Sequence, residues 1–282
     1  MSQAWPAPAK LNLFLHVTGR RADGYHSLQT VFQLLDYCDE IFIEPTDDGA
    51  IRRPEGLAGI RPDEDLVVRA ARLLQADSGC TSGAEIRVHK RLPPGGGLGG
   101  GSSDAATVLV ALNRLWALGW PLERLAALGL RLGADVPVFV YGRSAWAEGV
   151  GEQLTPIELP AAWYLVVCPD CAVSTAEVFS DPELTRDSPE TTINGFLSAG
   201  GRNDCEPVVR RRYPTVAAAL DWVTTRCRRG TARLTGTGGC VFGVFDSASE
   251  ARAALAGLPS HWTGFVARGI GESPLVARAR AG

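Results

Sequence analysis

Residues 9–18 read with a two-residue period, with Leu11, Leu13, Leu15 and Val17 expected on one face and Lys10, Asn12, Phe14 and His16 on the other. A two-residue period predicts a strand, and it sets Lys10 and Asn12 side by side. Asp23-Gly24 predicts a turn, followed by strands over 31–35 and 40–44. Over 66–76 the apolar positions 66, 67, 70, 73 and 74 change to helical spacing, and Gly79 supplies a stop. A short strand is expected over 85–90. Ala105, Val108, Leu109, Leu112, Leu115 and Trp116 predict a helix over 104–118. Gly119 and Pro121 close it and open another through Leu132. The unbroken apolar run 136–141 predicts a strand.

Gly, Thr and Pro cluster over 149–156, which marks a boundary ahead of a strand over 163–167. Ser174-Thr175-Ala176-Glu177 and Ser247–Glu250 have the form of capping boxes, each opening a helix. Val216, Ala219, Leu220, Val223 and Cys227 predict an amphipathic helix over 214–227, and strands are expected over 240–245 and 264–268. Strands and helices are interspersed without regular βαβ alternation. That pattern predicts an α+β fold and not a doubly wound sheet.

With 282 residues, 45% of them hydrophobic and 21% charged, the chain can bury a sizeable core in one large domain or two modest ones. A net charge of −3 argues against a broad electrostatic grip on nucleic acid or an anionic membrane. No apolar run reaches the roughly 18–20 residues that span a bilayer, and Lys10, Asn12 and His16 interrupt the one apolar stretch near the start. The expectation is a cytoplasmic protein with neither membrane nor nucleic acid as partner, a monomer or weak homodimer. Seven scattered cysteines do not form a disulfide framework. Cys168-Pro-Asp-Cys171 has the spacing of a redox pair or half a zinc site, but no second pair or nearby His completes a metal set. Ordinary packing is expected for both.

The most unusual segment is Pro93-Pro94-Gly95-Gly96-Gly97-Leu98-Gly99-Gly100-Gly101-Ser102-Ser103, with six glycines in the seven positions 95–101. It runs straight into a helix. Without Cβ atoms the backbone reaches positive φ, and its N–H groups approach an anion closely. The first amides of a helix lack intrahelical acceptors, and the macrodipole favours negative charge there. Together these make a phosphate cradle, to which Ser102 and Ser103 add hydroxyls. A flexible linker is the plainer reading, but linkers join domains, whereas this loop lies between a strand and an amphipathic helix. The loop is neither a Walker A sequence nor a dinucleotide fingerprint. A second cluster, Thr235-Gly236-Thr237-Gly238-Gly239, is either a tight turn or a second wall around the same phosphates.

Pro8-Ala9-Lys10-Leu11-Asn12-Leu13, the glycine-rich loop and the late Thr-Gly-Thr-Gly-Gly resemble, in order, the three motifs of the GHMP kinase superfamily. Asp23-Gly24-Tyr25-His26, the 132–139 segment Leu-Gly-Ala-Asp-Val-Pro-Val-Phe and the 147–152 segment Ala-Glu-Gly-Val-Gly-Glu are similar to one branch of it. The acceptor of that branch is a cytidine-diphosphate derivative of methylerythritol. The resemblance covers about residues 6–245; beyond Phe245 only packing is expected. It implies an ATP-binding domain over 1–156, a substrate-binding domain over 157–282 and a cleft between them, with ATP and Mg²⁺ taking part in phosphorylation of the acceptor's 2-hydroxyl.

The resemblance makes Asp135 and Lys10 the catalytic pair. By its local sequence alone Asp135 is equally a turn or cap aspartate, and Lys10 a snorkelling edge lysine. In the family's pattern Asp135 serves the acceptor hydroxyl, and Lys10 steadies negative charge on the carboxylate and the migrating phosphoryl group. Tyr25, His26 and Phe179 then resemble a pyrimidine clamp, although core packing is the usual fate of such rings. Asn12 and Thr175 match contacts to the methylerythritol portion. Thr235 departs from the serine more common in the third motif, and no motif names the Mg²⁺ ligands. Two alternatives stay open: a relative acting on homoserine, mevalonate or a sugar, and a nucleotide-binding regulator without catalysis.

Overall fold

The computed structural model describes residues 3–56, 61, 63–227 and 232–280. The chain opens with β1 (Trp5–Arg20), β2 (His26–Thr46), β3 (Ile51–Arg52), α1 (Leu66–Ser78) and β4 (Gly83–His89). Three helices follow, α2 (Gly100–Leu115), α3 (Leu122–Leu130) and α4 (Val136–Tyr141), then the hairpin of β5 (Ala145–Glu148) and β6 (Gln153–Pro156). The second half contains β7 (Trp163–Pro169), α5 (Thr175–Ser180), α6 (Ile193–Ala199), α7 (Glu206–Arg212) and α8 (Pro214–Thr224). It ends with β8 (Ala232–Leu234), β9 (Val241–Phe245), α9 (Ala248–Ala256), β10 (Trp262–Ile270) and α10 (Pro274–Arg280).

The 21-residue β2 is the hub. It pairs antiparallel with β1, β4, β5 and β10, and β10 carries the sheet onward through β7, β9 and β8. One core includes Ile41, Ile86, Val67, Leu74, Leu109 and Phe139; a second includes Leu165, Val167, Val209, Leu220, Val223 and Phe245. The chain then turns back. β10 joins β2 to β7, and α10 inserts Leu275 into the first core, so the region beyond Phe245 closes both halves.

Several expectations need correction. The alternation in β1 is not strict: the register against β2 shifts between Pro8 and Lys10, between Asn12 and Leu15, and between Val17 and Gly19. Between Asn12 and Leu15 β1 carries one residue more than β2, which resets the side-chain phase, so Leu15 lines the same cavity as Lys10 and Asn12. Residues 136–141 form helix α4, not a strand. Val136 to Val140 are all buried, and in such a run periodicity cannot tell helix from strand. What decides is Pro137 in the first turn, where a missing N–H costs nothing, and Gly142 at φ 64° closing the end. Cys168 is not an ordinary thiol but is bonded to Cys240. Val167 stands opposite Val241 on neighbouring strands, which brings the two cysteine Cα atoms within 4.3 Å. Cys171 is free, as expected.

Candidate active site

The glycine-rich segment folds back on itself. Gly95, Gly97 and Gly99 all take positive φ, at 70°, 76° and 72°. Helix α2 therefore starts inside the run, at Gly100, with Gly99 as its left-handed N-cap. Three contacts fix the loop: Leu98 O accepts from Lys10 N at 3.0 Å, Gly96 O from Cys240 N at 3.0 Å, and Gly97 O from the Thr235 hydroxyl at 3.3 Å. The two glycine clusters thus form one structure, in which a Cβ on Gly97 would overlap the Thr235 carbonyl and one on Gly239 would sit 2.5 Å from Gly95 O. Thr235 is fully buried and also accepts from the Asn12 amide at 3.1 Å, so its hydroxyl ties β1 to both loops. Pro93 and Pro94 precede this turn, and Leu98 is buried beneath it.

Lys10 on β1 is almost fully buried, with its Nζ 3.2 Å from Asp135 Oδ2 and 2.6 Å from Asn12 Oδ1. The same Nζ lies 5.3 Å from the centre of the Phe32 ring. A lysine so placed is not snorkelling. Asp135 occupies the N-cap position of α4, yet its side chain makes no capping hydrogen bond. Its backbone is helical there, at φ −82° and ψ −13°, whereas a capping aspartate takes an extended backbone so that its oxygen can reach back to the helix amides. The carboxylate is one-third exposed and turned to Lys10.

Both residues line a cavity of about 330 Å³ together with Asn12, Gly97, Ser102, Thr175 and Phe179. Ser102 lines it; Ser103 is fully buried with an unpartnered Oγ, and its N–H donates to Gly99 O at 2.8 Å. Gly100 and Gly101 offer only backbone, in the helix's first turn. Among the described residues no group of three or more His, Cys, Asp or Glu has the arrangement of a metal cage.

Tyr25 and His26 lie beyond this cavity, in a neighbouring one of about 590 Å³ that shares Thr175 and Phe179. Ser174 caps α5 by accepting from Glu177 N, which places Thr175 and Phe179 on the wall between the two spaces. His26 stacks on Phe179 with centroids 5.1 Å apart, while Tyr25 is two-thirds exposed and has no ring partner among the described residues. Burial, then the charges of Arg186 and Arg20, push the His26 pKa down, so the ring is neutral at pH 7.

Residue types alone did not single out Thr30, Phe32, Leu28 and Val150, all of which line the first cavity. Their signal was the alternation of 28, 30 and 32 on β2, where Phe32 stands opposite Asn12 and Thr30 opposite Leu15. Also missed was a charged cluster behind the loop. Lys90 Nζ bonds Asp104 at 2.7 Å and Asp39, which in turn accepts the Leu92 amide at 2.8 Å. Two buried carboxylates share one lysine, and burial raises the Asp104 pKa to about 7. The folded chain therefore holds a proton that the unfolded chain, titrating near 4, has lost. Stability falls as pH rises across that window. Asp104→Asn is expected to flatten this dependence in melting temperatures measured from pH about 4 to 8.

Models of the GHMP kinases N terminal domain and C terminal domain match residues 65–143 and 191–264. A 4-diphosphocytidyl-2-C-methyl-D-erythritol kinase of Nitrosococcus oceani is 60% identical over 272 residues, 96% of each chain. The chain belongs to this kinase family. A member from Pseudomonas aeruginosa is 59% identical over 270 residues, 96% of this chain and 95% of that one. A crystal structure of a 4-(cytidine 5'-diphospho)-2C-methyl-D-erythritol kinase superposes with a TM-score of 0.84 at 35% identity, covering 95% of this chain and all of the other. The mevalonate kinase of Methanococcus jannaschii, at TM-score 0.70 and 17% identity, shares the fold. The α+β GHMP kinase fold expected from the motifs is the fold of this chain.

Proposed function

We propose that the chain transfers the γ-phosphoryl group of ATP to the 2-hydroxyl of 4-diphosphocytidyl-2-C-methyl-D-erythritol, a step in non-mevalonate isoprenoid precursor biosynthesis. The observation that carries this reading is the Lys10–Asp135 pair, 3.2 Å apart, in a cavity walled on one side by the glycine ribbon and on the other by Thr175 and Phe179. Phosphoryl transfer demands little beyond in-line placement and positive charge around the reacting oxygens. The ribbon's amides and Ser102 hold the triphosphate. Asp135 Oδ1 or Oδ2 orients the acceptor hydroxyl and takes its proton as the oxygen bonds to the γ-phosphorus. The bond to the β-phosphate oxygen breaks, and ADP leaves. Lys10, held by Asn12, stabilises charge on the transferring group.

Mg²⁺ in such sites is held by one or two protein oxygens plus the substrate's phosphates. The Ser102 hydroxyl, on the cavity wall, fits that role; when bound, the ion would neutralise phosphate charge. In this reading residues 1–156 hold ATP and 157–282 the acceptor. The cytosine lies in the second cavity against Phe179, with Tyr25 as the opposite plate and His26 at its edge.

Turnover with ATP and a panel of acceptors tests the function. The cytidine-containing acceptor is expected to dominate over homoserine, mevalonate and methylerythritol phosphate; preference for an acceptor lacking the base would refute it. Phe179→Ala is expected to raise the acceptor KM about tenfold, the size of one lost base stack, with the ATP KM unmoved.

A further inference from the structure

Arg186 lies in the loop after α5 and reaches His26 across the wall of the second cavity. Its Nε is 3.1 Å from His26 Nε2. Its remaining nitrogens donate to three backbone carbonyls: Nη1 to Leu184 at 3.1 Å, and Nη2 to Phe179 at 2.9 Å and Asp181 at 2.8 Å. These contacts hold the guanidinium plane in one orientation and tie it to the carbonyl of the residue whose ring stacks on His26.

A guanidinium has no acceptor and does not lose its proton in proteins. The contact at Nε2 therefore has one polarity: Arg186 donates and the imidazole accepts. An imidazole accepting at Nε2 is neutral and carries its proton on Nδ1. Among the described residues Nδ1 has no hydrogen-bond partner, and His26 lines the cavity where Phe179 and Tyr25 also stand. Of the charged groups around it, Arg186 and Arg20 are both cations and both oppose protonation of the ring.

We propose that Arg186 is a specificity-determining positioning residue: it fixes His26 as the Nδ1–H tautomer, which presents a donor to the pyrimidine edge and thereby selects cytosine over uracil. This rests on the acceptor assignment given above. Cytosine offers an unprotonated N3 that receives the Nδ1–H. Uracil carries a hydrogen on N3, so the same edge sets N–H against N–H and leaves two donors unpaired. With Arg186 absent, the ring is free to move its proton to Nε2, and Nδ1 becomes an acceptor that suits uracil.

Two measurements test this. The first is the ¹⁵N spectrum of histidine-labelled free protein, with His26 assigned by its loss in His26→Gln; the chain has only four histidines. The wild type is expected to show a pyrrole-type Nδ1 and a pyridine-type Nε2 at neutral pH. Arg186→Met is expected to show exchange between tautomers. A wild-type His26 protonated at Nε2 overturns the proposal whether or not the variant folds. The second is turnover with the cytidine acceptor and its uridine analogue. Arg186→Met is expected to lower the ratio of the two kcat/KM values by at least about tenfold, the scale of one mispaired polar contact, while the ATP KM stays unchanged. Undiminished discrimination in a folded variant overturns the proposal. A wild type that ignores both nucleoside forms refutes the acceptor assignment and the specificity role with it, while the free-protein spectrum still reports the tautomer independently.

Discussion

Asp135→Asn is expected to lower turnover by at least about two orders of magnitude and to leave ATP binding nearly unchanged, the effect of removing a positioned acid–base group. The effect follows from where the carboxylate points. It does not cap α4, and it is not buried in the core. Loss of its charge therefore removes no cap and strands no buried partner except Lys10, which keeps its 2.6 Å bond to Asn12. Stability should stay near wild type while the acceptor hydroxyl loses the group that orients it and takes its proton. Steady-state kinetics with both substrates, beside nucleotide titration of the variant, checks the split. A variant with unimpaired kcat takes Asp135 out of the mechanism.

Gly99→Val is expected to weaken ATP binding and to destabilise the fold by at least about 2 kcal/mol, combining left-handed backbone strain with overpacking. From the motif alone, a side chain at this position would obstruct the approach of phosphate to the backbone. The structure supplies a different cause. Gly99 stands at φ 72°, and a Cβ there would lie 2.7 Å from the Phe139 ring and 3.1 Å from Lys10 Cγ. A β-branched side chain must displace α4 or Lys10, and either shift opens the Lys10–Asp135 pair. The variant should therefore lose kcat as well as nucleotide affinity. Thermal melts with and without ATP, together with kinetics, separate this from simple obstruction, in which kcat at saturating ATP and the melting temperature of the free protein would be preserved.

Much of the frame was legible because its determinants are local. The stripe at 66, 67, 70, 73 and 74 and Gly79 predicted α1 almost to its ends. Ser174 and Ser247 each cap a helix by accepting the amide three residues on. Lys10, Asn12 and Asp135 fall into one cavity, together with Thr175 and Phe179. What escaped depends on long-range partners. The bulges in β1 exist only against β2. Helix α4 wins over a strand because Pro137 and Gly142 punctuate a run buried from Val136 to Val140. The Cys168–Cys240 bond needs β7 beside β9, a pairing across 72 residues that spacing cannot reveal. Arg186 belongs to no sequence motif; only the fold sets it against His26.

The central claim is that the glycine ribbon holds a triphosphate next to Lys10 and Asp135. A crystal structure with a non-hydrolysable ATP analogue tests it most directly. The β- and γ-phosphate oxygens are expected within hydrogen-bond distance, about 3 Å, of the main-chain amides and Ser102 hydroxyl of the 95–103 segment, with the γ-phosphate facing Lys10. Phosphates seated away from that segment, with Lys10 and Asp135 left facing solvent, would contradict the account.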